Sequence, residues 1–142
     1  MYIAIKELHS FIGFMTLTLF TFAIVFNLIS WVSKKPYTKV NKIVSLVGMT
    51  SVHIQVLIGL ILYFLSPHGL SNFSGAAMKD AQSRLLILEH PLIMIIAFVL
   101  VTVGYSKAKK LTDDNAKYKT IITFFFISLV LILSRIPWSI WI

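Results

Sequence analysis

Four long apolar runs separated by short polar stretches organise this chain. Phe11 to Val32 is interrupted only by small or hydroxyl residues and Asn27, and the next run, IVSLVGMTSVHIQVLIGLILYFL, carries His53 near its middle. Arg84 to Gly104 makes a third run. A fourth begins near Thr120, is strongly apolar to Leu133, and closes on Arg135, Pro137, Trp138 and Trp141. A hydrocarbon core about 30 Å thick is crossed by roughly 20 apolar residues of helix. The pattern therefore predicts four spans, at about 11–32, 43–65, 84–104 and 120–137. The expected fold is a single all-α integral membrane domain, and short loops make a four-helix up-down-up-down transmembrane bundle its simplest architecture. Tyr2 to Glu7 reads as an amphipathic lead-in. A cleaved signal peptide would have a shorter apolar core and an Ala-x-Ala type site, which is missing.

The breakers agree with these boundaries. Pro36 lies in the lysine-rich SKKPYTKVNK, and Ser66-Pro67-His68-Gly69 stops the second run. Ser74 is placed to cap a helix that starts in water and runs on into the third span, making that span longer than a membrane requires.

Composition supports a membrane class, since 58% of residues are hydrophobic and the mean hydropathy is strongly positive. A net charge of +8 raises nucleic acid as a partner, but the basic residues sit in loops between apolar runs, where they orient a protein in a bilayer. No nucleic-acid partner is expected. Of 13 Lys and Arg, nine fall in loops 33–42 and 105–119, leaving Lys6, Lys79, Arg84 and Arg135 near the other side. Both lysine-rich loops are then expected in the cytoplasm and both termini outside. The absence of cysteine excludes disulfides, thiolate metal sites, iron–sulfur clusters and covalent haem attachment.

The candidate chemistry lies in the few polar residues inside the runs. An imidazole in mid-membrane has no water to bond and should face a partner in the protein interior. At 1.5 Å per residue from the lysine loops, His53 lies about 16 Å in, Arg135 about 24 Å, His90 about 25 Å and His9 about 37 Å. Haem held by two imidazoles needs them at similar depth on facing helices. By depth His53 with His90 is the best match, His9 with His90 competes, and a site using all three stays open. His68, in the outer loop, is a lesser candidate. A lone intramembrane His also serves as a plain hydrogen-bonding link between helices.

Glu89, His90 and Arg135 share a level, with Arg84 one or two turns further out. Two roles are open for them. Glu89 and Arg135 can form an interhelical ion pair, or Arg135 or Arg84 can clamp a haem propionate while Glu89 carries a proton. Gly13, Gly48, Gly59 and Gly104 suit close approach of helices or of a flat ligand, and Gly13 shares His9's face. Met15, Met49 and Met94 are further possible axial ligands, though core filling is the commoner use of methionine.

At Lys6-Glu7-Leu8-His9-Ser10, His53-Ile54-Gln55-Val56-Leu57-Ile58-Gly59, Leu88-Glu89-His90-Pro91 and Ser134-Arg135-Ile136-Pro137-Trp138, the chain resembles small bacterial four-span membrane proteins labelled cytochrome b. The similarity runs over nearly the whole chain. It is also distantly similar to one four-helix half of haem A synthase, in which histidines on facing helices ligate haem b. The resemblance implies His53 and His90 as axial ligands, with His9 as a further candidate. It also implies a bacterial inner-membrane location. Haem A synthase has two such halves and an acidic residue within its first span, whereas here there is one half and Glu7 lies at the membrane edge.

The expected function is electron transfer by a b-type haem between transmembrane helices, in a small subunit of a respiratory or redox complex. Lipid, other membrane subunits or a second copy of the chain are the expected partners. Two alternatives remain: a cofactor-free structural subunit, and an enzyme handling quinol or porphyrin at the outer face through His9, His68 and Glu89.

Overall fold

The chain folds into a four-helix bundle with no strand among the described residues, 1–141, of its computed structural model. The long elements are α1 (Tyr2–Val32), α2 (Lys39–Leu65), a rod over Ala81–Lys110, and α6 (Asp114–Ser134). All four are long and apolar enough to cross a membrane. The rod comprises α4 (Ala81–Arg84), a π-helical turn at Leu85–Glu89, and α5 (His90–Lys110). Helices adjacent in sequence pack side by side, and α1 with α6 closes the ring. Consequently α1 and α5 face one another across the bundle axis.

Large apolar side chains on the outer surface, such as Phe11, Phe22, Leu57, Phe64 and Phe126, are more than half exposed. In water such a surface would drive aggregation; in lipid it is solvated. The interior is small and tightly packed. Phe20 and Phe125 meet at 5.0 Å between ring centroids, with Ala23, Val52, Ala97, Val101 and Ile121 around them. Close approach depends on glycine. A Cβ on Gly104 would collide with the Phe124 Cβ, and one on Gly48 would lie 2.9 Å from the Ala23 Cβ.

Buried polar groups lock α1 to α2. The Asn27 amide nitrogen donates to the Ala23 carbonyl and to Ser45 Oγ, and its oxygen accepts from Asn41. Lipid offers no competing partners, so such bonds also fix helix register.

The lysine-rich loops cluster at one end of the bundle. There α1 ends with Lys34 at φ 57°, and the Lys34 and Lys35 N–H groups return to the Trp31 and Ser30 carbonyls. This left-handed closure satisfies carbonyls that the helix end would leave bare. Tyr118 Oη donates to the Pro36 carbonyl, and the Trp31 indole donates to Asn115. Burial raises the Tyr37 phenol above its usual pKa.

At the opposite end lie the N-terminal turns of α1, the connection 66–80 and residues 135–141. Ser74 caps a helix, but only the short α3 (Gly75–Lys79). Asp80 is extended and starts α4 by accepting from the Ser83 N–H, a bond that holds its carboxyl below the usual carboxylate range. A break therefore separates the aqueous cap from the spanning rod. The helices also run past the apolar runs: α1 begins at Tyr2, so the lead-in is helical, and α5 continues to Lys110.

Candidate functional site

Two prolines create the site by removing backbone donors. Pro91 has no N–H for the Ile87 carbonyl four residues earlier, and its ring crowds that carbonyl. The helix widens into the π turn just there, and Tyr63 Oη, reaching over from α2, donates to the Ile87 carbonyl at 2.7 Å. Tyr63→Phe strands this buried carbonyl, so the protein should lose about 1–3 kcal/mol of stability. Denaturant titration in mixed micelles checks this.

Pro137 acts likewise at the end of α6. The helix stops at Ser134, and α7 (Trp138–Trp141) folds back over the start of α1. There the Trp141 indole donates to Ser10 Oγ at 2.7 Å, and its ring packs on Phe14. Outside the helical ladder, the Arg135 carbonyl is free to accept. It takes the Nδ1 proton of His90 at 2.8 Å. Because a carbonyl can only accept, His90 Nδ1 must carry the proton, and the neutral ring keeps a bare lone pair on Nε2.

Across the bundle axis from His90 stands His9. The two ring centroids are 6.3 Å apart with planes at 84°. His9 Nδ1 is buried and has no hydrogen-bond partner. Its ring rests on Gly59, where a Cβ would come within 3.0 Å of Cε1. Gln55, also on α2, donates from Nε2 to the His9 carbonyl at 2.8 Å, while its Oε1 is buried without a partner.

Beside this pair, Glu89 bridges two arginines. Oε2 is 2.9 Å from Arg84 Nε and Oε1 is 3.6 Å from Arg135 Nε, and Arg84 also donates to the Met78 carbonyl. The cluster carries one positive charge in excess. Glu89 is its anion among the described residues.

His53 sits elsewhere. Its Nε2 is 2.8 Å from Thr102 Oγ1, and its ring lies against Phe98. The Thr102 hydroxyl gives its own proton to the Phe98 carbonyl, so His53 Nε2 is the donor and ties α2 to α5. Thus the structure brings His9 and His90 together and leaves His53 apart from both. His68 lies in the exposed outer connection, its N–H bonded to Ser66 Oγ. Met49 and Met94 belong to the apolar core, and Met15 is exposed.

The reason for this pairing is helix length. Counted from the helix ends, His9 lies about 35 Å from the lysine end, His90 about 30 Å and His53 about 21 Å. Extending α5 to Lys110 moves His90 towards the level of His9. Gln55 had no sequence signal beyond its place in the stretch His53 to Gly59, and Tyr63 none beyond being an aromatic at the outer end of a span.

Two imidazoles facing each other from separate helices are a donor set of the kind that ligates haem iron. An imidazole–metal bond is about 2 Å, so two rings sharing one metal place their centroids about 6 Å apart, as His9 and His90 do. His90 keeps a bare Nε2, and among the described residues no hydrogen bond occupies the Nε2 of His9. Among the described residues no three His, Cys, Asp or Glu side chains gather as a metal site. Two protein donors alone suit a metal that brings its remaining ligands with it, as iron does in a porphyrin. A groove of about 280 Å³, lined by Phe26, Ile29, Lys35, Pro36 and Asn41, lies at the opposite end and holds no histidine.

No family model, curated protein or solved structure matches the chain.

Proposed function

We propose that this multi-pass membrane protein is a b-type cytochrome-like electron carrier in which His9 and His90 hold haem b across the bundle axis. The observation that carries this assignment is the opposed imidazole pair at 6.3 Å, with the His90 tautomer fixed by the Arg135 carbonyl. Haem iron, when bound, supplies one-electron redox chemistry. The chain's own residues orient the two rings, exclude water with the apolar bundle, and place Arg84 and Arg135 beside the site as the natural partners of a propionate. Glu89 holds those guanidiniums in place and supplies the site's exchangeable proton.

The lysine loops place their end of the bundle in the cytoplasm by the positive-inside rule, so the site lies near the outer face of a bacterial inner membrane, with both termini on that side. A small one-electron carrier of this kind suits a subunit of a respiratory or redox assembly, or a homo-oligomer, and its position suits exchange with quinone.

A second reading, a cofactor-free structural subunit, is favoured by two contacts: the His53–Thr102 bond and the Arg84–Glu89–Arg135 bridge tie helices together through the chain's own groups. A reduced-minus-oxidised absorption spectrum decides between them. Protein purified from haem-replete cells should show sharp haem bands at about one haem per chain; colourless protein would leave the structural role.

A further inference from the structure

Resting on the assignment of His9 and His90 as the opposed pair, we infer that Gln55 is the positioning residue for His9. Its Oε1 accepts the His9 Nδ1 proton, so that both histidines keep a bare Nε2.

The Gln55 amide has one permitted orientation. The His9 carbonyl only accepts, so the nitrogen of the amide must face it, as the 2.8 Å contact from Nε2 requires. That turns Oε1 inward as an acceptor in need of a donor. Among the described residues only two buried side-chain polar atoms lack a partner, Gln55 Oε1 and His9 Nδ1, and they belong to the two residues already joined by this bond. An unpaired acceptor in a lipid-shielded interior is costly. Donation from His9 Nδ1–H to Oε1, directly or through one water, satisfies both atoms at once. With the other tautomer neither atom has a partner.

The packing keeps both groups in place. A Cβ on Gly13 would lie 3.0 Å from Gln55 Nε2, and one on Gly59 3.0 Å from His9 Cε1, so the amide and the imidazole each fill the space beside a glycine. The arrangement mirrors that of His90, whose Nδ1 proton goes to the Arg135 carbonyl. An oxygen acceptor on Nδ1–H is the usual device by which proteins orient a ligating imidazole and raise its donor strength.

The test reads the tautomer without any haem. The full-length protein, made haem-free with ¹⁵N-labelled histidine and placed in lipid bilayers, should show His9 with Nδ1 protonated and Nε2 bare, its signals assigned by their loss in His9→Ala. Gln55→Leu should lower the ratio of this tautomer to the other by about tenfold, the worth of one hydrogen bond. Gln55→Glu, which keeps an acceptor for Nδ1–H while losing the donor to the His9 carbonyl, should preserve it. A wild-type His9 protonated on Nε2, or a tautomer unmoved by Gln55→Leu, overturns the inference, and the wild-type spectrum decides even if that variant fails to fold. In haem-loaded protein, Gln55→Glu should lower the reduction potential, because a charged acceptor strengthens the imidazole as a donor. Haem bands present with neither tautomer nor potential responding to Gln55 variants would sink the positioning role alone. The expected tautomers in a wild-type protein that never shows haem bands would sink the haem assignment alone.

Discussion

His9→Ala and His90→Ala should each remove the paired-imidazole haem bands, whereas His53→Ala should keep them. The first two take a donor from the opposed pair, 6.3 Å apart, which has no third ligand group to replace it among the described residues. Retention of haem should fall by more than about 100-fold, beyond the cost of losing a supporting group. His53→Ala instead removes one interhelical bond to Thr102. Intramembrane hydrogen bonds contribute about 0.6 kcal/mol on average, so that variant should be slightly less stable and spectrally unchanged. Spectra of the three variants at matched expression, read beside their unfolding curves, check the series. Loss of the bands in His53→Ala with His9→Ala intact would reverse the pairing.

Gly104→Leu should be the most damaging single change in the apolar part of the bundle. A Cβ alone at this position would collide with the Phe124 Cβ, so α5 and α6 must separate before a longer side chain is even considered. Helix association in lipid rests on close van der Waals packing, because apolar side chains gain little by leaving an apolar solvent. Overpacking commonly costs about 1–3 kcal/mol; here the obstacle is attached directly to a neighbouring backbone, and the loss should reach about 3 kcal/mol or more. Gly75→Ala is the control: nothing lies within 4 Å of its Cβ, and the change should alter stability by at most about 1 kcal/mol. Unfolding in mixed micelles, with the folded fraction read by size exclusion, separates the two.

Much of the bundle was legible because its signals are local. A run of apolar residues states its length, Pro67 and Gly69 mark an end, and lysines sort themselves between two ends without reference to any contact. The helix ends were less legible. Hydropathy marks where lipid can begin, whereas a helix continues until its backbone is stopped, so α5 runs on through Ser106 to Lys110, and α6 stops at Ser134 because Pro137 lies ahead.

The sequence by itself determined that the chain has four membrane-length helices, and that polar chemistry collects at the end away from the lysines, through His9, Glu89, His90 and Arg135. Only the tertiary structure decided which of these residues meet. Depth counted along separate helices takes no account of their true ends or of their azimuth around the bundle. A shift of a few residues in where α5 ends moves His90 by the same few ångströms that separate one pairing from the other. Side-chain partners depend on rotation as well: Thr102 meets His53, and Gln55 meets His9, because of which faces α2 and its neighbours turn inward. That rotation is set by the packing of Phe20, Gly48, Gly104 and Phe125, which no single stretch of sequence contains.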